Sequence, residues 1–410
     1  MTLEGDVERI APGGRALLRT PEGVVFARGG LPGERVRVRV ERAARGVRHG
    51  VVLEVLLPSP DRVPPDCALH PRCGGCDLLA LAPAAQGAVK LGIVRDTLAR
   101  IARLDEGTLA RALRPLQAPG PGDDGRRRRA TLVMRGGVPT FSAPEGHERI
   151  AVARCPALHP TLEAALALLA ATGARDGLRV QLACDERPGA VLAVEGDREC
   201  ARAFVAGGGR GAIVTDTEER LGDPSLVGEV SAGAFPCVSD AGVFAQATRF
   251  GGRAILDEVL RAAAPSPGGR VLELFCGSGH LTVPLVAAGA RVDAVEGDLR
   301  AVRYCRDNVA KVGGPGRAEV RIAYIDESLP CAERPELVLA DPPRTGIPGL
   351  ARLAERLDAP RWVLVACDPA TGARDLATLL AQGYALSSLT PIDAFPRTSH
   401  VEWVALLERA

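Results

Sequence analysis

The sequence predicts a multidomain chain with three parts: a small all-β unit at the N-terminus, a central α+β unit, and a C-terminal doubly wound α/β unit. Three observations predict it. At 410 residues the chain is longer than one ordinary core organises. Residues 1–60 carry short valine-rich alternations broken by glycine and proline turns. From Gly269 onward, apolar strand-like runs alternate with helical patterns, the signature of a parallel sheet covered on both faces. The boundaries read as 1–60, 61–243 and 244–410.

Charge excludes a global polyanion-steering field, because 51 basic residues face 50 acidic ones. Lys90 and Lys311 are the only lysines, and beside 47 glycines and 32 prolines this arginine skew reads as compositional bias. It lowers the weight of any single arginine. The opening residues MTLEGDVERI are charged, and no apolar run approaches a membrane span. The expectation is a cytoplasmic protein without membrane contact, whose 11 cysteines are reduced and serve packing, metal or catalysis.

In the first part, VVFARG, RVRVRVER and GVVLEVL read as strands. Arginines alternate with valines from Glu34 to Val40, giving one basic and one apolar face. The basic face reads equally as a solvated surface or a nucleic-acid surface. Cys67, Cys73 and Cys76 follow in C-x5-C-x2-C spacing. Thiolates three residues apart chelate one group, and the Gly-Gly between them permits the tight turn. Cys155, in ARCPALHP, is the candidate fourth ligand; zinc and an iron–sulfur cluster both suit such a set.

Residues 86–104 have apolar side chains at helical spacing and predict an amphipathic helix, which could pack on the C-terminal unit. A Gly/Pro/Asp loop, APGPGDDG, leads to Arg126–Arg129, a phosphate contact or a solvated run. Ala130 to Val243 mixes strands (ATLVMR, RVQLACD, AVLAVEG) with the helix LEAALALLAAT, and Cys184, Cys200 and Cys237 read as core.

The last part begins GRVLELFCGSGHLTVPLVAAGARVDAVEGD: a strand, a turn at Gly277 and Gly279, a helix, and a second strand ending at Glu296. A carboxylate roughly 20 residues beyond a glycine turn suits a ribose hydroxyl pair. The third glycine of a nicotinamide fingerprint is missing. A third apolar strand ends at Asp341 in ELVLADPPRTG, and a fourth, RWVLVACDP, ends at Cys367. Open α/β sheets place chemistry at the carboxyl ends of their strands, although a cysteine there is also often plain core.

These strings carry a resemblance. GGRALLRTPEGVVFARGGLPGERVRVRV resembles the TRAM domain, an OB-like barrel on RNA-modifying enzymes, and ELFCGSG resembles the S-adenosylmethionine loop of class I methyltransferases. DPPRTG, VACDPATGARDL and FPRTSHVEWVALL, with the cysteine motif, resemble the bacterial uracil-5 RNA methyltransferase family along the whole chain. That resemblance implies methylation of carbon 5 of a uridine, in 23S rRNA ahead of tRNA, because tRNA-specific relatives generally lack both cluster and TRAM domain. A monomer is the expected state. It implies a 4Fe–4S cluster, ahead of zinc, on Cys67, Cys73, Cys76 and Cys155. It makes Cys367 the nucleophile and Glu402 the proton acceptor. Gln246, Phe275, Gly277, Gly279, His280, Glu296, Asp326 and Asp341 would line the cofactor.

The chemistry needs such groups. Carbon 5 of uracil is a weak nucleophile until a thiolate adds to carbon 6; a base must then remove the carbon-5 proton so that the thiol eliminates. The uridine must be flipped out to reach the cleft. Three departures stand out: Thr248 and His280 each replace an asparagine, and Asp368 replaces the asparagine after the cysteine. A carboxylate at 368 should raise the thiol pKa and slow attack. A catalytically weakened RNA-binding homologue is therefore an alternative, and amine methylation through DPPR another.

Overall fold

Alternation of apolar and charged residues closes the first five strands into a barrel in the computed structural model, which describes residues 1–44, 46–120, 125–144, 148–228, 236–312, 317–331 and 333–409. The strands are Thr2–Ala11, Arg15–Thr20, Gly23–Arg28, Arg35–Ala44 and Val47–Leu57, with the third pairing the fifth in parallel. Leu3, Val7, Leu18, Val25, Val36 and Val38 point inward and are buried. Closure leaves no free sheet edge. The arginine face is neutralised by acidic neighbours: Arg37 pairs with Glu4 and Glu54, and Arg28 and Arg39 with Glu41. Glu34, fully buried, accepts hydrogen bonds from the Leu31 and Ser59 amides and from Arg62, which pins the barrel to the chain leaving it.

The cysteine segment follows in turns. The expected helix spans Pro83–Arg100, starting before residue 86 because Pro83 presets the first turn, and ending before 104. It packs on the first barrel strand and on the C-terminal helix Pro369–Ala381. Next, the helix Glu106–Ala112 hands the chain to residues 113–117, which bridge the edge strand Tyr384–Ile392 of the C-terminal sheet through Leu113 and Gln117. That coverage protects an otherwise open edge. Residues 121–124 of the Gly/Pro/Asp loop lie outside the described residues.

A seven-stranded sheet occupies the middle, in the order Glu219–Gly222, Gly211–Val214, Val191–Val194, Arg179–Ala183, Arg129–Arg135, Val138–Ser142, Arg149–Ala151. The helices Pro160–Ala170 and Arg198–Ala206 cover it, and Cys184 and Cys200 are buried there as expected; Cys237 is buried instead in the core of the C-terminal unit. The arginines at its start are not a solvated run. Arg127 donates to the Gly75 carbonyl oxygen, Arg128 pairs with Glu186, and Arg129 donates to the carbonyl oxygens of Val243 and Asp240.

The C-terminal sheet runs Ala318–Ile322, Arg291–Glu296, Arg270–Leu274, Leu337–Ala340, Arg361–Ala366, Glu402–Arg409, Tyr384–Ile392. The first five are parallel, Glu402–Arg409 runs antiparallel to them, and Tyr384–Ile392, antiparallel to Glu402–Arg409, returns to the direction of the five. Strand order reverses between Arg270–Leu274 and Leu337–Ala340, so their carboxyl ends diverge and open a crevice. Because Glu402–Arg409 runs antiparallel, its first residue lies at that same end, and the pairing of Ala366 with Trp403 sets Glu402 beside Cys367. No helix among the described residues is long and apolar enough to cross a membrane.

Candidate active site

A cleft of about 660 Å³ opens at the crevice, within the size range of small-molecule sites. Its floor is the loop after Arg270–Leu274. Phe275 adopts φ +64°, Gly277 φ +54° and Gly279 φ +94°. Left-handed backbone at a non-glycine residue such as Phe275 is costly and persists where a site requires it. Gly277 faces the cleft with open space where a side chain would stand, and its amide donates to the Glu296 carboxylate at 3.0 Å. The other Glu296 oxygen accepts from the Gly297 and Asp298 amides at 2.7 and 2.9 Å.

Gly279 lies outside the cleft lining, and a Cβ there would stand 3.1 Å from the Cys305 sulfur, so glycine at this position lets the loop pack closely on the helix Leu299–Ala310. Asp326 also lies outside the lining, its carboxylate accepting bonds from the Ser328 amide at 2.7 Å and hydroxyl at 2.6 Å.

The departures from the family pattern have local explanations. His280 lines the cleft, and its Nε2 lies 3.0 Å from the Gly252 carbonyl oxygen. The acceptor places the proton on Nε2, and burial lowers the ring pKa, so a neutral imidazole ties the glycine loop to the helix Arg249–Ala263. Thr248 caps that helix, accepting from the Gly251 amide at 3.1 Å and donating to the Ala394 carbonyl oxygen at 2.9 Å. Threonine and asparagine are interchangeable in that task. Gln246, just before it, lines the cleft.

At the opposite end stand Asp341, Cys367 and Glu402. The Cys367 thiol lies 4.0 Å from the Pro342 carbonyl oxygen. Burial pushes it up to about 12, with Glu402 and Asp341 adding to the rise and Arg344 opposing it. Asp368 is not the cause: its carboxylate is committed to the Thr371 amide at 2.8 Å as the N-cap of Pro369–Ala381. Glu402 is 2% exposed, and its Oε2 has no hydrogen-bond partner among the described residues. Burial, then Asp341, raises it to about 8, with Arg344 opposing. Burial alone raises Asp341 to about 7.

Three lining residues escaped the reading of the sequence as site groups. Arg344 is a cation close enough to oppose the shifts at Cys367 and Glu402. Glu273 is buried, one of its oxygens has no hydrogen-bond partner among the described residues, and burial holds it well above the usual carboxylate range. Phe244 stands 74% exposed at the rim. Arg344 was in view within DPPRTG; the arginine-rich composition hid its weight.

The four cysteines Cys67, Cys73, Cys76 and Cys155 line one separate cavity of about 320 Å³. Among the described residues, no group of three or more His, Cys, Asp or Glu side chains is arranged to hold a metal ion. Burial raises the pKa of Cys73, Cys76 and Cys155, and Arg127 opposes the rise in each.

Known proteins share this sequence pattern and fold. Residues 234–349 match the family model described as "Methyltransferase small domain". The chain is 32% identical to the 23S rRNA (uracil(1939)-C(5))-methyltransferase RlmD of Alkalilimnicola ehrlichii, over 97% of this chain and 94% of that protein. It is equally similar, at 32%, to the protein of that name in Vibrio cholerae, over 98% and 94%. The uncharacterized RNA methyltransferase tlr0942 of Thermosynechococcus vestitus is 31% identical over 99% of this chain and 98% of that protein. Among solved structures, the tRNA (uracil-54, C5)-methyltransferase of Pyrococcus abyssi, in complex with S-adenosyl-L-homocysteine, shares the fold: TM-score 0.73 over 99% of both chains, at 21% identity. With near-full-length relatives above 30% identity, the chain belongs to the uracil-5 RNA methyltransferase family.

Proposed function

We propose that this enzyme methylates carbon 5 of a uridine in 23S rRNA, using Cys367 as nucleophile and Glu402 as base. One observation carries the assignment: Cys367 and Glu402 share the carboxyl end of the C-terminal sheet with Asp341, in the cleft that the glycine loop floors. The names of the relatives support rRNA as substrate.

S-adenosylmethionine supplies an electrophilic methyl group. Glu296 suits its ribose, Gly277 and Phe275 its methionine side, and Gln246, His280 and Asp341 the rest of the wall. Asp326 follows the strand Ala318–Ile322, which pairs with the strand ending at Glu296, so it would serve the adenine edge only. Cys367 attacks carbon 6, carbon 5 takes the methyl group, and Glu402 removes the carbon-5 proton as sulfur leaves. Burial holds the thiol protonated at neutral pH, so it must give up its proton to solvent as sulfur adds to carbon 6. Arg344 would stabilise the negative charge that passes to the uracil ring. Phe244 at the rim offers a ring for an unstacked base. A 5-fluorouridine-containing RNA tests this reading, because fluorine at carbon 5 blocks the final elimination. Cys367 should give an SDS-stable adduct and Cys367→Ala none; an active Cys367→Ala enzyme would instead mean amine methylation. A strain lacking the gene should lose one 5-methyluridine from 23S rRNA by mass-spectrometric mapping, and loss from tRNA instead would refute the rRNA assignment.

The boundaries 1–60, 61–243 and 244–410 and the TRAM character of the barrel belong to the same proposal, as does a 4Fe–4S cluster on the four cysteines. The four thiols, with Arg127, Arg129 and Arg397, line one cavity of about 320 Å³, and it is that width which supports a cluster over a single zinc ion. The absorbance spectrum, iron and acid-labile sulfide of anaerobically purified protein test it; zinc without iron would exclude it.

A further inference from the structure

The two cavities share a wall. Arg129, Ala247 and Phe395 line both, and Phe395 lies in the loop 393–401 that leads into Glu402. The cysteine segment holds this loop by side chains that catalysis as proposed does not use. Asp77, the residue after Cys76, accepts the Ser399 amide on one oxygen and the Ser399 hydroxyl on the other, both at 2.6 Å. Ser399 is buried and lies three residues before Glu402. From behind, Gly14 of the barrel presses on Asp77 so closely that a Cβ there would overlap its carboxylate. Arg127 makes the second link. Its guanidinium donates to the Gly75 carbonyl oxygen at 3.0 Å, inside the Cys73–Cys76 turn, and lies 5.9 Å from the centre of the Phe395 ring. Its backbone bridges Thr248, the cap of the helix behind Gln246.

We propose that Asp77 and Arg127 are positioning residues, through which the cysteine segment sets the Phe395–Glu402 wall of the methyl-transfer cleft. The inference rests on the assignment of Cys367 and Glu402 above. The step it concerns is the last one. Glu402 takes the carbon-5 proton, the carbon–hydrogen electron pair becomes the ring double bond, and the carbon 6–sulfur bond breaks to release the Cys367 thiolate. A base displaced from carbon 5 leaves nucleophilic attack intact and stalls release.

The test follows the covalent adduct with ordinary uridine. Anaerobically purified full-length protein is incubated with S-adenosylmethionine and 23S rRNA from a strain lacking the gene, and SDS-stable protein–RNA adduct is measured against time. Glu402→Gln accumulates adduct if the base is correctly assigned; no adduct there would overturn that assignment and this inference with it. Given that control, Asp77→Ala and Arg127→Lys should each accumulate roughly tenfold more adduct than the parent while forming it at near-parental rate. Asp77→Asn, which keeps an acceptor for the Ser399 amide, should restore most of the release. Arg127→Lys keeps the charge and loses the forked guanidinium that reaches both the Gly75 carbonyl oxygen and the Phe395 ring, so it reports positioning even where Asp77→Ala disturbs the cysteine turn. Parental adduct levels in both variants, or a parallel fall of adduct formation and turnover, would overturn the proposal.

Discussion

Glu402 is a carboxyl group that its surroundings keep protonated. Burial and the neighbouring Asp341 raise it to about 8, above the 4.5 of a free glutamate. A base must be deprotonated to act, so product release should speed up as pH rises from about 6.5 to 8.5. A single-turnover pH profile of methylated-RNA release checks this, and a profile flat across that range would count against Glu402. The same shift destabilises the folded protein. Between the unfolded and folded pKa values the native state binds more protons than the unfolded one, so this group's contribution falls as pH rises through that window. Glu402→Gln should therefore be inactive in release yet more stable than the parent at pH 8, by about 1–2 kcal/mol in denaturant unfolding. Arg344 acts in the opposite direction on both Cys367 and Glu402. Removing it in Arg344→Gln should displace the pH profile to the alkaline side. The motifs around Cys367 and Glu402 drew attention to both residues in the sequence, and the two line one cleft. The source of the thiol's raised pKa was not legible there, because proximity in sequence pointed to Asp368, whose carboxylate the helix N-terminus occupies.

Elements were legible where a period of two or a helical period repeats without interruption: the barrel valines, the helix after the cysteines and the glycine loop with its flanking strands. What such patterns do not carry is the contact between elements. Gly372 sits inside the helix Pro369–Ala381, where glycine costs helix stability relative to alanine. The reason lies on other strands: a Cβ at 372 would stand 2.4 Å from both the Trp403 ring and the Ala366 Cβ. The helix that follows Cys367 can approach the sheet only with hydrogen at that position. Gly372→Ala should push the helix away, cost about 1–3 kcal/mol, and lower adduct formation by displacing Cys367. Denaturant midpoint and the 5-fluorouridine trap would report the two effects separately. Thr248 gives the converse case, a departure without consequence. Thr248→Asn should leave stability within a few tenths of a kcal/mol, whereas Thr248→Ala loses the cap and about 1 kcal/mol.

Across the whole molecule, the amphipathic helix Pro83–Arg100 is the seam between barrel and catalytic sheet. Its helical spacing was readable; its partner, 303 residues away, was not. Lys90, fully buried, forms an ion pair with Asp393 and donates to the Phe395 carbonyl oxygen at 2.8 Å. Burial lowers the lysine and raises the aspartate, so each depends on the other for its charge. A buried pair of this kind contributes little over an apolar replacement, but losing one partner strands the other charge. Lys90→Met should therefore cost about 3–5 kcal/mol, because Asp393 remains buried without its cation. Lys90→Met with Asp393→Asn should recover much of that loss, since the two positions share one interaction. Trp362 and Trp403, both buried in the C-terminal sheet, give the fluorescence signal for denaturant unfolding. Equal losses in the single and double variants would mean that the seam is held by apolar packing alone, with the ion pair only accommodated within it.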